Sequence, residues 1–217
     1  MPTPSKGNCY LCGGEFGKVA MKNHIMKAHG EPGGDQKCYL LKIEGAYDKN
    51  YWLYVDVPMD ETLDCLDMFL REIWLECCGH MSRFSYKNDE LDDDDALSSL
   101  SVGQTILHEY DFGTTTETIV TVVAETVRKK QKKAVRLLAR NIPPSFDCSE
   151  CGKPATVICN ECVFETDNPF LCDDCAETHE HEGMMLPVTN SPRMGECGYD
   201  GELDTYTFIQ DDYPAKK

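Results

Sequence analysis

Two apolar runs near the start of the chain predict a β-hairpin. Residues 38–43 and 51–57 are rich in aromatic and β-branched side chains, and the turn residues 45–48 separate them. Such runs, bounded by Gly and Asp, are typical of paired strands. Apolar side chains then recur every three or four positions over 61–78, which predicts a helix whose apolar stripe packs on the sheet. Asp60 stands where the N-cap of that helix is expected.

The β pattern continues after the predicted helix. Strands are predicted at 81–86, 105–112, 116–127 and 133–140. The last three follow one another with short connections, which favours a meander. The prediction is therefore an α+β fold, with a central antiparallel sheet and one main packed helix.

Length and composition narrow the class of protein. The 217 residues leave room for one ordinary domain and one or two small ones. The sequence has no long uncharged apolar run, so no transmembrane helix is expected, and its first residues lack the apolar core of a signal peptide. In a chain that is not exported, thirteen cysteines are expected to be metal ligands and buried thiols. We therefore predict a cytoplasmic protein without a membrane partner.

The charge distribution leaves two interpretations open. A net charge of −17 argues against nucleic acid as a partner of the whole molecule, because an acidic surface repels phosphates. Seven of the 21 basic residues nevertheless lie within 128–140. This segment is interpreted first as a solvated strand edge, and in the alternative as a basic strip that binds nucleic acid.

Eight candidate metal ligands lie close together near the C-terminus. They are Cys148, Cys151, Cys159, Cys162, Cys172, Cys175, His179 and His181. A structural zinc ion takes four Cys or His ligands, commonly as two close pairs, so eight ligands predict two zinc ions. The alternative, a framework of disulfides, requires an oxidising compartment, and the odd cysteine count argues against it.

Residues 145–190 resemble a B-box zinc finger with six cysteines and two histidines. The resemblance implies interleaved pairs. Cys148, Cys151, Cys172 and Cys175 would bind one zinc ion, and Cys159, Cys162, His179 and His181 the other. The segment departs from the family in its long loop after Cys162 and in the single residue between the histidines. Two hypotheses therefore remain for Cys197: it replaces His181 in the second site, or it is a free thiol.

Another four-ligand pattern opens the chain. Cys9 and Cys12 are followed by His24 and His29, which resembles a two-Cys, two-His zinc finger over residues 7–30. A hairpin supplies two thiolates and a helix, predicted over 18–28, supplies two imidazoles. The sequence thus predicts a third zinc ion. Four units follow: a finger and linker at 1–34, a central domain at 35–144, the B-box-like module at 145–190 and an acidic tail at 191–217.

The central domain resembles the plasmid Orf-three-like family, whose members are also described as transposon-element passenger proteins. The resemblance covers residues 36–140. It rests on Tyr51 and Trp52, on Trp74, on Gly79 to Met81, on Phe84 and above all on the segment Tyr110, Asp111, Phe112, Gly113. It implies a compact prokaryotic α+β domain without an established reaction.

Few residues of the central domain suggest acid–base chemistry. The candidates are His80, His108, Glu109 and Asp111. His80 is interpreted as a packing or capping residue, and Asp111 is expected to order a turn by accepting backbone hydrogen bonds. The three predicted zinc sites are closed by protein ligands and offer no position for an activated water.

The functional prediction is a non-catalytic zinc-binding adaptor that binds other proteins, including proteins of ribonucleoprotein particles. The first alternative is nucleic-acid binding through the N-terminal finger and residues 128–140. The second is an enzyme of unknown reaction with a pocket near His80 and Asp111.

Overall fold

The computed structural model describes residues 5–31 and 33–213. Within these ranges the largest element is a nine-stranded antiparallel sheet with the order β2-β1-β9-β4-β3-β8-β7-β5-β6. Its strands are β1 Lys6–Cys9, β2 Glu15–Gly17, β3 Gln36–Gly45, β4 Trp52–Pro58, β5 Ser82–Tyr86, β6 Asp89–Leu91, β7 Thr105–Tyr110, β8 Thr116–Arg128 and β9 Arg136–Asn141. Helices cover the sheet, so the predicted α+β fold class is confirmed.

The hairpin of β3 and β4 lies at the centre of the sheet, and both of its faces are covered. On one face Leu41 and Val55 pack against the helix α2, Leu63–Leu70. On the other face Leu40 and Tyr54 pack against the helix α1, Lys18–Ala28. Successive side chains of a strand point to opposite faces. Apolar residues therefore occupy most positions on both faces of the two strands, with charged residues such as Lys42, Glu44 and Asp56 as exceptions.

The helix predicted over 61–78 differs from the structure at both ends. It begins at Leu63, and its N-cap is Thr62, not Asp60, because the Thr62 hydroxyl accepts a hydrogen bond from the Cys65 N–H at 3.3 Å. After Leu70 the chain turns into a π-helix, Arg71–Leu75. The wider π turn buries Ile73, Trp74 and Leu75 together, which a narrow α-helical stripe would not do.

The predicted meander of the last three strands is wrong for β9. Strands β7 and β8 are paired as expected, but β8 continues onto β3 and β9 lies between β4 and β1. Five of the six residues of β9 are buried. A strand with so little exposed surface is stable inside a sheet rather than at its edge.

The finger segment is continuous with this sheet. Strand β1 pairs with both β2 and β9, and Met21 and Ile25 of α1 pack over Trp52. Contact at Gly7 is so close that an added Cβ would lie 2.4 Å from the Arg140 carbonyl oxygen and from the Trp52 ring. Only glycine fits there.

The segment after residue 144 forms a smaller body with its own three-stranded sheet. Its strands are β10 Val157–Cys159, β11 Phe170–Leu171 and β12 Met185–Pro187, in the order β11-β10-β12. A single helical turn, α3, spans Asp173–Ala176. Its buried apolar cluster consists of Cys148, Leu171 and Cys172, with a few partly buried neighbours.

Residues 188–213 return to the large sheet and contact it at several points. Asn190 and Asn141 exchange side-chain hydrogen bonds, Arg140 pairs with Asp204 at 2.7 Å, and the Tyr10 hydroxyl donates to the Tyr206 carbonyl at 2.7 Å. The segment predicted as an acidic tail is thus packed up to residue 213, and residues 214–217 lie outside the described part. None of the described helices is long and apolar enough to cross a membrane.

A buried cluster of charges holds the turn between β8 and β9. Arg128 is 1 % exposed and pairs with Asp56 on β4, while the Arg136 Nε donates to the same carboxylate at 2.9 Å. The Arg128 Nη2 also donates to the Ala134 carbonyl at 2.6 Å. One carboxylate therefore compensates two guanidinium groups inside the sheet.

Removing this carboxylate is expected to destabilise the protein strongly. Asp56→Ala leaves Arg128 buried without a counter-charge, and such losses cost about 3–5 kcal/mol. Urea denaturation followed by tryptophan fluorescence measures the change, with the exposed neighbour Asp60→Ala as the control. Equal free energies of unfolding for the two variants would contradict the structural role of Asp56.

Candidate metal centres

The structure groups the twelve predicted ligands into three sets of four. In each set every pair of ligand atoms lies within 4.8 Å. An ion with Zn–S and Zn–N bonds of ordinary length in a tetrahedron separates S from S by about 3.8 Å, S from N by about 3.6 Å and N from N by about 3.3 Å.

The finger ligands come from β1, the turn that follows it, and α1. Cys9 ends β1 and Cys12 lies in the turn that follows, directly before Gly13, which has φ +70°. His24 lies on α1, whereas His29 is its C-cap, because a spacing of five exceeds one helical turn. The Cys9 Sγ lies 3.5 Å from the His29 Nε2, and the Cys12 Sγ lies 3.2 Å from the His24 Nε2.

The second set joins Cys148 and Cys151, on a turn at Gly152, with Cys172 and Cys175, at the start of α3. The Sγ atoms of Cys151 and Cys172 are 3.6 Å apart. Burial raises the pKa of the Cys148 thiol, but the backbone N–H groups of Cys172, Cys151 and Glu150 outweigh burial and lower it to about 6. This cysteine is thus prepared as a thiolate, the form that binds metals.

In the finger, burial has a larger effect on the pKa of the thiol than the hydrogen bonds do. Burial raises the pKa of the Cys9 thiol to about 11, since the surroundings stabilise its charge poorly. A bound cation inverts this situation, because it favours the thiolate directly.

The third set shows how two histidines separated by one residue contribute to the same site. Cys159 and Cys162 face His179 through its Nε2 and His181 through its Nδ1. The Cys162 Sγ lies 3.3 Å from the first nitrogen and 3.4 Å from the second. Because His179 presents its Nε2 and His181 its Nδ1, both imidazoles reach the same site although a single residue separates them in the sequence. The grouping of the second and third sets is the interleaved one that the B-box resemblance implies.

Cys197 is not part of the third set. It lies in a fourth group, with Cys77, Cys78 and His80, whose ligand atoms also lie within 4.8 Å of one another. The sequence analysis missed this group because Cys197 follows His80 by 117 residues. The close spacing of Cys77, Cys78 and His80 was the available signal. Four Cys and His clusters in the described residues are therefore geometrically suited to bind metal ions.

The acid–base candidates of the central domain all have partners within the protein. The buried His108 donates its Nε2–H to the Asp67 carboxylate at 2.7 Å, and Glu109 pairs with Arg83 at 2.8 Å. Asp111 has φ +65°, accepts a hydrogen bond from the Gly113 N–H as expected, and pairs with Arg193 at 2.7 Å. His80 and Asp111 do converge, with 3.4 Å between the Nε2 and the Oδ2.

The arginines of segment 128–140 are occupied internally. Arg128 and Arg136 pair with Asp56, and Arg140, which is 4 % exposed, pairs with Asp204. Only the lysines of this segment, Lys129, Lys130, Lys132 and Lys133, are exposed. Its basic surface is therefore smaller than the sequence suggests.

Comparison with known proteins adds little to this picture. No protein-family profile and no curated protein sequence matches the chain. Among solved structures, the chain is similar to a protein of unknown function, MM3350 from Methanosarcina mazei Go1, at 18 % sequence identity and a TM-score of 0.44. That match covers 54 % of this chain and 75 % of the other. Fold and site define the molecule as an α+β protein with Cys and His clusters suited to metal ions.

Removing metal is expected to affect the two parts of the molecule differently. The body over 147–187 has a very small apolar cluster, so a chelator should unfold it, as it does other small metal-stabilised domains. The β3–β4 hairpin should remain folded, because its core on the α2 face is large and contains none of the twelve ligands predicted from the sequence. Hydrogen exchange followed by mass spectrometry measures both regions in one experiment.

The control uses the same samples after metal is returned. Both tryptophans are fully buried outside 147–187, Trp52 on β4 and Trp74 in the π-helix, so their fluorescence should stay constant while exchange in 147–187 rises and then recovers. Unchanged protection of 147–187 after complete metal removal would contradict a metal-dependent fold.

Proposed function

We propose that this chain is a non-catalytic zinc-binding adaptor that binds a basic protein. Mixed thiolate and imidazole ligand sets favour zinc among the common metals. Each of the three sets predicted from the sequence supplies four protein ligands. A tetrahedral ion is then saturated, with no position for a substrate or an activated water. Such sites stabilise structure.

The body over 145–190 carries most of the charge of the protein. This segment contains ten acidic residues and one basic residue, Lys153, so it contributes −9 to the net charge of −17 of the whole chain. All ten acidic side chains are exposed. A surface with this charge attracts basic partners and repels nucleic acid.

One exposed aromatic residue on this acidic surface carries the proposal. Phe164 is 69 % exposed and lies in the helical turn Cys162–Phe164, which begins at a proposed zinc ligand. Glu161 and Glu165 flank it and are also exposed. An aromatic anchor surrounded by charged residues is the usual composition of a protein-binding hot spot and its rim. The resemblance to B-box modules, which mediate protein association, supports the same interpretation by analogy.

The basic partner that we expect includes proteins of ribonucleoprotein particles, whose surfaces are rich in Lys and Arg. Direct nucleic-acid binding by the finger and segment 128–140 has less support, since the arginines of that segment are in internal ion pairs. An enzyme centred on His80 and Asp111 also has less support, because Asp111 is already paired with Arg193. Membership of the central domain in the plasmid Orf-three-like family stays a prediction.

Partner binding should depend on Phe164. The chain, immobilised with its zinc, is incubated with native lysate of the organism that encodes it, and retained proteins are quantified by mass spectrometry. We expect Phe164→Ala to reduce recovery of basic partners at least tenfold, because hot-spot aromatics contribute about 2 kcal/mol or more. Glu161→Lys with Glu165→Lys should reduce it further, and more strongly at low salt.

The matched control is Tyr47→Ala, which removes an aromatic side chain that is 82 % exposed from the turn between β3 and β4. Nuclease treatment distinguishes a protein partner from an RNA contact. Equal recovery with Phe164→Ala and Tyr47→Ala would contradict the proposed surface, and loss of all partners after nuclease treatment would favour the nucleic-acid alternative.

A further inference from the structure

We propose that Cys77, Cys78, His80 and Cys197 bind an additional zinc ion, which fastens the C-terminal segment 188–200 to the end of the helical region 63–75. This site lies apart from the three sets described above. It does not depend on the proposed adaptor function. Its ligands come from two segments that are far apart in sequence, so the ion would act as a cross-link.

The four ligand atoms have the spacing of a coordination sphere. Cys77 Sγ and Cys78 Sγ are 3.8 Å apart, and Cys78 Sγ and Cys197 Sγ are 3.6 Å apart. The His80 Nε2 lies 2.9 Å from the Cys78 Sγ and 3.4 Å from the Cys197 Sγ. Three of these four distances are close to the edges of a tetrahedron around zinc, about 3.8 Å between sulfurs and about 3.6 Å between sulfur and nitrogen, and the distance from His80 to Cys78 is shorter.

The first half of the site is held in place by its own neighbours. The Arg71 guanidinium donates to the Glu76 carboxylate at 2.8 Å and to the His80 carbonyl at 2.7 Å. Glu76 in turn accepts a hydrogen bond from the Gly79 N–H, and Gly79 has φ +76°. The turn that presents three ligands is therefore fixed by contacts other than metal binding, which lowers the entropic cost of capturing an ion.

The second half is anchored independently. Ser191 is buried and donates its hydroxyl to the Trp74 carbonyl, at the end of the π-helix. The Tyr199 N–H donates to the Glu196 carbonyl at 3.0 Å, closing a turn around Cys197. Cys197 itself has φ +53°, a conformation that residues other than glycine rarely adopt. Such conformations occur at sites where the surroundings require them, and metal coordination is one such requirement.

The charges around the site also suit a zinc thiolate centre. Three thiolates and one imidazole around a divalent cation leave a single negative charge. The fully buried Arg193 guanidinium pairs with Asp111 at 2.7 Å, donates to the Cys77 Sγ at 3.4 Å, and holds that carboxylate 3.4 Å from the His80 Nε2. A positive group that donates to a ligand sulfur stabilises the thiolate and fixes its orientation.

A disulfide explains the cluster less well. The Sγ atoms of Cys78 and Cys197 would have to approach to about 2 Å, and the bond would leave Cys77 and His80 without a role. Convergence of an imidazole nitrogen on both sulfurs points to coordination. The exposure of Cys78 and Cys197 predicts that this ion exchanges with solvent chelators faster than the more buried ones.

Native mass spectrometry of protein purified without added metal tests the site. We expect four zinc ions per chain in the wild type. After dialysis against a mild chelator that leaves the wild type at four, Cys197→Ser should hold three. The control Cys65→Ser, a half-buried cysteine outside every cluster, should hold four. Hydrogen exchange in 188–200 should rise at least tenfold in Cys197→Ser and stay at the wild-type value in the control.

Cys78→Ser, in the other segment, must reproduce both effects, which separates loss of the ion from local misfolding around residue 197. Three ions in the wild type would overturn the proposal. The mass of the chain then shows whether the thiols of the cluster are free or, if two hydrogens are missing, joined in a disulfide. Four ions retained by Cys197→Ser under the same dialysis, or unchanged exchange in 188–200, would overturn it as well.

Discussion

We propose that coordination of metal by thiolates and imidazoles is the interaction on which the outer parts of this molecule depend. The apolar cluster of the body after residue 144 has three buried residues, two of them candidate ligands, too few for such a segment to fold alone. Its eight candidate ligands meet in two interleaved sets, so an ion in each set would connect two distant turns. The same ions would fix the surface around Phe164, whose turn begins at the candidate ligand Cys162. In this account, the metal sites and the proposed binding surface are one structural unit.

The large sheet, by contrast, is stabilised by buried apolar side chains and ion pairs. Its central hairpin is covered on both faces, and the buried Asp56 pairs with Arg128 at the end of β8 and with Arg136 at the start of β9, where Glu31 supplies a second carboxylate. This part of the chain has enough apolar surface to fold without metal. The finger combines both principles, because β1 is a strand of the sheet while α1 is held by ligands at His24 and His29. The arginines used inside the sheet also leave an acidic exterior, which favours a basic partner.

Local patterns in the sequence predicted much of this structure. Apolar patterns predicted the β3–β4 hairpin, the strands β7 and β8 and the helix α2, and the finger pattern predicted the helix α1. Ligand spacing predicted the twelve residues that the structure brings together. Features that depend on residues far apart in the sequence were not predicted. The position of β9 depends on pairing across the sheet, and the group at Cys77 depends on a cysteine that follows His80 by 117 residues. The π-helical turn arises from tertiary burial of Trp74 and its neighbours, which no helical periodicity encodes.

X-ray absorption at the zinc edge tests the central claim most directly, namely that every ion is saturated by the protein. Over the four clusters the ligands are eleven sulfur and five nitrogen atoms. The account predicts a first shell of sulfur at about 2.3 Å and nitrogen at about 2.0–2.1 Å, in a ratio near two to one, with four ligands per ion and no oxygen. A water or hydroxide oxygen in the first shell, or a sulfur share well below this ratio, would reveal an open site and contradict a purely structural role for the metal.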